Sequence, residues 1–355
     1  MDNPSSSLCS HFPVAMPIVA LYVCPQTVAS SLCMAIDAFQ LANQFYGKAL
    51  FQLRRVSADG RAVANALGSI QVDAGLRQRP AADIFIIPAI GRDVEAAIAA
   101  NTGLLAYLGE YATGPAQQAA SQFASLCSGA FLLGAAGLLD GRRATTHWAL
   151  ERAFRQRFPR ARLCIEALLT QDGNILCSGG AQAGLDLCLH LIRQHAGEAL
   201  ARQVADAMVV ELNRSSQMPF IPLLPFAPFQ ATPAANGHGD AMVGKLQRWL
   251  DSHLAEEVTL EGLAAIAHCS PRTLLRRFSN ATGYSPSSYL QRLRVAAARD
   301  QLARGNPQIE AVAAAVGYQD RPAFAKMFKR ITGQTPAAYK KQQQQARQNP
   351  GIITG

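Results

Sequence analysis

The side chains best able to do chemistry fall into two groups far apart in the chain. Arg272, Thr273, Arg276 and Arg277 recur at helical spacing, and Arg321, Lys326, Lys329 and Arg330 follow about 50 residues later. Guanidinium and ammonium groups on an exposed helix face meet guanine edges and phosphate oxygens. Arg272, Thr273, Arg276, Arg321 and Lys326 are the candidates for reading bases, and Arg277, Lys329 and Arg330 those for holding phosphates. In the other group, Cys127 ends the apolar run QFASLC and precedes a helix-like stretch, with Ser128 and Gly129 in the turn. A strand-to-helix turn lifts a nucleophile out of a sheet and points free N–H groups at it. Ser178, Gly179 and Gly180 make a second such turn after the run GNILCSG. Together the two turns are candidates to bind a small molecule at the carboxyl ends of parallel strands.

Both groups need frameworks. From Pro17 onward, short apolar runs (PIVALYV at 17–23, ADIFIIP at 82–88, then the two above) alternate with helix-length stretches at 28–46, 94–111 and 181–195. That alternation predicts a doubly wound α/β domain with a parallel sheet, over residues 14–217. Prolines at 219, 222, 225, 228 and 233 and a closing Asn-Gly pair predict a linker over 218–239. After it, everything is helical. Start signals stand at Thr259, Ser270, Ser285 and Asp320, and stop signals at Gly283, Gly305 and Gly317.

This all-α segment, 240–342, repeats itself: SPRTLLRRFSNATGYSPSSY at 270–289 aligns with DRPAFAKMFKRITGQTPAAY at 320–339. Each copy reads as a helix, a tight turn, a capped second helix and a T-G-x-x-P-x-x-Y tail, which is the pattern of a helix-turn-helix unit. The helix 286–304 would join the two units and space them by near one turn of DNA, roughly 34 Å. The glutamine-rich stretch 343–355 is expected to be a disordered tail.

Composition agrees with two soluble domains. Of 355 residues, 49% are apolar and 16% charged, which excludes a disordered or fibrous chain. The net charge of +9 is concentrated in residues 240–345, where 15 basic face 8 acidic side chains, the footprint of phosphate binding. The eight cysteines form no C-x-x-C pair and no zinc-like cluster, so a reducing cytoplasm and no metal or cofactor are expected. No apolar stretch reaches the length of a membrane span.

Residues 240–342, through LAAIAHCSPRTLLRRF and VAAAVGYQDRPAFAKMFKR, closely resemble the AraC/XylS family of bacterial regulators. Pro322 departs from that family, which often has Ser there. Residues 17 to about 215, through ASLCSGAFLLGAAGLLDGRRATTHW, ILCSGGAQAGLDL and VVELNRSSQMPF, resemble the ThiJ/PfpI-like, class I glutamine amidotransferase-like domain of GlxA-type regulators. The resemblance implies a homodimeric regulator of double-stranded DNA, responding to a small-molecule effector: an amino acid, a betaine-like amine or a related nitrogen compound. Enzymes of the second family pair the elbow cysteine with a histidine, often the next residue, and with an acid near the end of strand one. Here Ser128 takes the histidine's place, and VCPQTVASS offers Gln26 and Thr27 but no acid before Asp37. A sensor rather than an enzyme is therefore expected. The competing reading is a cysteine hydrolase using Cys127, with His147 as its base, and it requires an acid brought close by folding.

Overall fold

Successive residues of strand β1 (Ile18–Tyr22) face opposite ways: Val19 and Leu21 join one buried cluster, Ala20 and Tyr22 another. The same alternation holds in β6 (Ile84–Ile87), where Ile84 and Ile86 oppose Phe85 and Ile87. A sheet with two apolar faces needs helices on both. In the computed structural model, residues 16–65, 68–113, 121–212, 214, 216–220, 240–304 and 306–348 are described, in two compact units, Met1–Ser215 and Ser216–Gly355.

The first unit further contains β2 (Gln52–Ser57), β3 (Val63–Asn65), β4 (Gly68–Ile70), β5 (Ala74–Gly75), β7 (Gln122–Ser125), β8 (Arg143–Ala144), β9 (Arg162–Leu163), β10 (Leu169–Asp172) and β11 (Ile175–Ser178). Its main sheet runs β10-β11-β7-β6-β1-β2-β5 among the described residues. Every pair is parallel except β10 with β11. Helices α1 (Ala29–Tyr46), α6 (Ala183–Ala196) and α7 (Glu198–Ala207) cover one face through Leu32, Phe39, Leu189, Ile192 and Val204. Helices α2 (Val94–Ala100), α3 (Thr102–Thr113), α4 (Ala130–Ala135) and α5 (Glu151–Arg157) cover the other through Ala97, Leu108, Phe131 and Phe154. The domain is a doubly wound α/β sheet with one antiparallel edge.

Two expectations are corrected here. The single helix expected over 94–111 is two helices, because buried Asn101 ends α2: its Nδ2 donates to the Ala97 carbonyl (2.7 Å) and its Oδ1 accepts from the Tyr22 hydroxyl (2.8 Å). A side-chain amide that competes with backbone partners breaks the helix and ties the break to the end of β1. The sheet is also not wholly parallel, since the two residues Gly173 and Asn174 fold β10 back on β11, with Asp172 opposite Ile175.

The second unit is helical: α8 (Ala241–Ser252), α9 (Leu260–Ile266), α10 (Pro271–Thr282), α11 (Pro286–Ala303), α12 (Ile309–Ala315), α13 (Arg321–Thr332) and α14 (Pro336–Gln348). Thr259, Ser270, Ser285 and Asp320 each cap a helix, their side chains accepting from Gly262, Thr273, Ser288 and Ala323 N–H groups. Leu290 and Leu293 of α11 join the cluster built by Leu246, Leu274 and Phe278, while Val295, Ala298 and Leu302 join that of Val312, Phe324 and Phe328. One long helix thus serves two small cores. The tail from 343 is helical as far as Gln348, a correction to the disorder expected of it. Gln, Ala and Arg are good helix formers and no breaker intervenes before Pro350. Residues 221–239 of the expected linker, the Gly305 stop signal and residues 349–355 lie outside the described residues.

Candidate nucleic-acid interface and the Cys127 elbow

Helix α10 buries Leu274, Phe278 and Thr282, one turn apart, so the intervening positions turn outward. Arg272 and Arg276 are exposed there and make no side-chain hydrogen bond or ion pair among the described residues. Thr273 is half-buried, and its Oγ1 accepts from the capping Ser270 hydroxyl at 2.9 Å. Arg277 is held by the fold: Nε and Nη2 donate to both oxygens of Asp240, at 2.8 and 2.7 Å. Asp240 in turn caps α8, and the Arg277 hydrogen bonds hold its carboxyl below the usual range. The phosphate role expected of Arg277 competes with this pairing.

Helix α13 repeats the plan with Phe324 and Phe328 inward. Lys326 and Lys329 are exposed and without a side-chain partner among the described residues. Arg321 pairs with Glu310 at 2.6 Å, and Arg330 donates to Gln291 Oε1 at 2.8 Å. Pro322 sits exposed in the first turn, where its missing N–H costs nothing. The turns preceding the two helices differ. His268 takes a left-handed φ of 50° in the first, whereas Gly317 (φ 81°) serves the second, where a Cβ would lie 2.9 Å from Ala255 backbone atoms.

Sequence reasoning missed the residue that joins the units. Arg294 on α11 donates from Nε to the Leu254 carbonyl and from Nη2 to that of Glu256, both at 2.7 Å, and from Nη1 to Gly317 at 3.3 Å. Its guanidinium also lies 5.6 Å from the Tyr318 ring centroid. The only signal was an arginine set between Leu293 and Val295, both of which are buried. With 18 residues, α11 is about 27 Å long.

In the first unit the strand-to-helix turn after β7 is real. Cys127 has φ 54°, a conformation a non-glycine residue adopts only where the surroundings enforce it. Gly129 shows what enforces it: a Cβ there would stand 2.5 Å from the Ile87 carbonyl oxygen and 2.8 Å from that of Pro88. Cys127 and Ser178 are brought together, the Cys127 N–H donating to Ser178 Oγ at 3.3 Å. Ser128 Oγ accepts from Ile90 N–H at 3.0 Å, and Thr146 donates to the Cys127 carbonyl at 3.0 Å. The N–H groups of Gly129 and Gly179 donate to the Leu126 and Leu168 carbonyls. Among the predicted ligand residues, Cys127, Ser128, Gly129, Ser178 and Gly179 are buried, and only Gly180 begins to open to solvent.

As a nucleophile Cys127 is poorly placed. Burial pushes its thiol up to about 11, and only Ser128 opposes the shift. Asp37 is exposed in the middle of α1. Burial holds His147 below its ordinary range, and its Nδ1 accepts from Ala149 N–H as a cap. Among the described residues no group of His, Cys, Asp and Glu could hold a metal.

Two family descriptions match the chain: the DJ-1/PfpI family over residues 19–194 and the Helix-turn-helix domain over residues 263–342. The chain is a DJ-1/PfpI domain followed by an AraC-type helix-turn-helix domain. Relatives match along most of this chain and most of their own length. The HTH-type transcriptional regulator GbdR of Pseudomonas aeruginosa is 29% identical over 311 residues, covering 86% of this chain and 79% of that protein. The HTH-type transcriptional regulator GlxA of Rhizobium meliloti is 28% identical over 323 residues, covering 88% and 91%. A crystal structure of an AraC family transcriptional regulator from Pseudomonas putida overlaps 54% of this chain and 99% of its own, at 22% identity and a TM-score of 0.45.

Proposed function

We propose that this DJ-1/PfpI and AraC-type protein is a sequence-specific DNA-binding transcription regulator, acting in the cytoplasm as a homodimer. Its α/β domain senses a small nitrogenous or carboxylate metabolite and performs no catalysis. The observation that carries the DNA reading is the repeated outward face: Arg272 and Arg276 on α10, Lys326 and Lys329 on α13, all exposed and without a side-chain partner among the described residues. Free cations on paired second helices are what a major groove and its phosphates require. The names of relatives that match most of the chain, the HTH-type transcriptional regulators GbdR, CdhR and GlxA, support the same reading.

Sensing rather than catalysis is supported by the state of Cys127, whose burial favours the thiol over the thiolate. The effector would enter at the rim formed by Gly180, Ala181 and Gln182, because the turn after β11 opens to solvent there while Cys127, Ser128, Gly129, Ser178 and Gly179 are buried. Effector binding would favour one placement of the DNA-binding domains in the dimer.

The test is a salt titration of binding to a genomic fragment library, comparing intact protein with an Arg272→Ala, Arg276→Ala, Lys326→Ala variant. Enrichment of a repeated site that the variant loses supports the proposal. Weak binding that is indifferent to sequence and to these changes refutes it.

A further inference from the structure

On α10, Leu275 breaks the pattern of its neighbours. Leu274 is fully buried, yet Leu275 leaves 41% of its surface in water. It follows Arg272 by three positions and so lies beside it on the helix surface, and Arg272 itself stands one turn before Arg276. The fold therefore leaves a large apolar side chain partly in solvent, next to the exposed Arg272 and Arg276. In a DNA major groove the one apolar feature of a base edge is the C5-methyl group of thymine.

We propose that Leu275 is a specificity residue that packs on the methyl group of one thymine, in the half-site read by Arg272 and Arg276. The inference rests on the DNA-binding reading above. The second helix offers a contrast: 50 positions on stands Ala325, half-buried and smaller by three carbons, so α13 has no large apolar side chain at the equivalent position.

The experiment uses full-length protein and the duplex it enriches most from a random library. Each thymidine of that duplex is replaced in turn by deoxyuridine, which removes the methyl and leaves every hydrogen-bonding group in place. Wild-type protein is expected to lose about fourfold in affinity at one thymine of the half-site, the ratio for withdrawing one methyl group from an apolar contact. Leu275→Ala binds the unmodified duplex more weakly and no longer responds to that replacement. Wild-type binding that is indifferent to uracil at every position overturns the proposal while leaving the DNA reading standing. So does a Leu275→Ala variant that keeps the full response. Failure to enrich any duplex overturns both.

Discussion

The state of Cys127 separates a sensor from a hydrolase, and the structure sets its size. Its thiol is pushed up to about 11 from an ordinary 9.0 by burial. At pH 7.5 the thiolate fraction then falls from about 3% to about 0.03%, a hundredfold loss of the reactive form. The more basic thiolate is intrinsically the better nucleophile, by about eightfold for that change in basicity, so the net expectation is roughly a tenfold slower reaction. Its 8% exposure slows it further. The assay is iodoacetamide labelling between pH 7 and 10, followed at the Cys127 peptide by mass spectrometry, with exposed Cys33 as the internal reference. Labelling of Cys127 should trail that of Cys33 at pH 7.5 and still be climbing about tenfold per pH unit beyond pH 9. A rate that levels off below pH 8, or that outruns Cys33 at neutral pH, would show a base acting on the thiol. The hydrolase reading would then replace the sensor.

Three further outcomes follow from the geometry. Gly129→Ala should lower the stability of the first unit by about 3 kcal/mol, because the new Cβ meets two main-chain oxygens that cannot rotate away; calorimetry showing an unchanged transition would contradict the close approach. His147, His190 and His195 are all held below their ordinary range chiefly by burial. Below about pH 6.5 the unfolded chain binds protons that the folded unit does not, so stability is complete at neutral pH and falls on acidification until the folded groups also protonate. A melting temperature of the first unit that stays constant from pH 7 to 5 would reject this. Arg294→Ala should cost about 2 kcal/mol in the helical unit by leaving three carbonyls without their charged donor. Denaturation followed by Trp249 fluorescence checks it, and a loss below half that figure would mean water replaces the guanidinium freely.

What could be read from the chain follows from where information is local. The caps Thr259, Ser270, Ser285 and Asp320 were legible because an N-cap is decided within four residues. The buried strands β1, β6, β7 and β11 were legible as apolar runs. Strand β2 was not, since QLRRVS buries only Val56 and Ser57, and Arg55 spends its charge on Asp73 in a neighbouring stretch. The Gly-Asn pair at 173–174 is a hairpin signal, and its consequence, an antiparallel edge, was hidden because β10 carries little apolar pattern of its own. In the candidate interface, residue types marked the cations. They could not show that Arg277 reaches Asp240, nor that Arg321 reaches Glu310, because those partners come from other helices.

That pairing makes the two units unequal. Helix α10 keeps two arginines, Arg272 and Arg276, with no side-chain partner among the described residues, and an arginine can meet a guanine through two donors at once. The second has its arginines engaged with Glu310 and Gln291, a proline and alanines where the first has Arg272, Thr273 and Leu275, and two free lysines. A lysine ammonium is a point charge that suits a phosphate oxygen better than it discriminates bases. On the function proposed above, α10 therefore carries most of the sequence discrimination and α13 most of the sequence-independent grip. Arg294, which fastens the turn of the second unit to the loop after α8, keeps the two in register. A division of labour of this kind lets the second half-site vary in sequence while its spacing from the first stays constrained by α11.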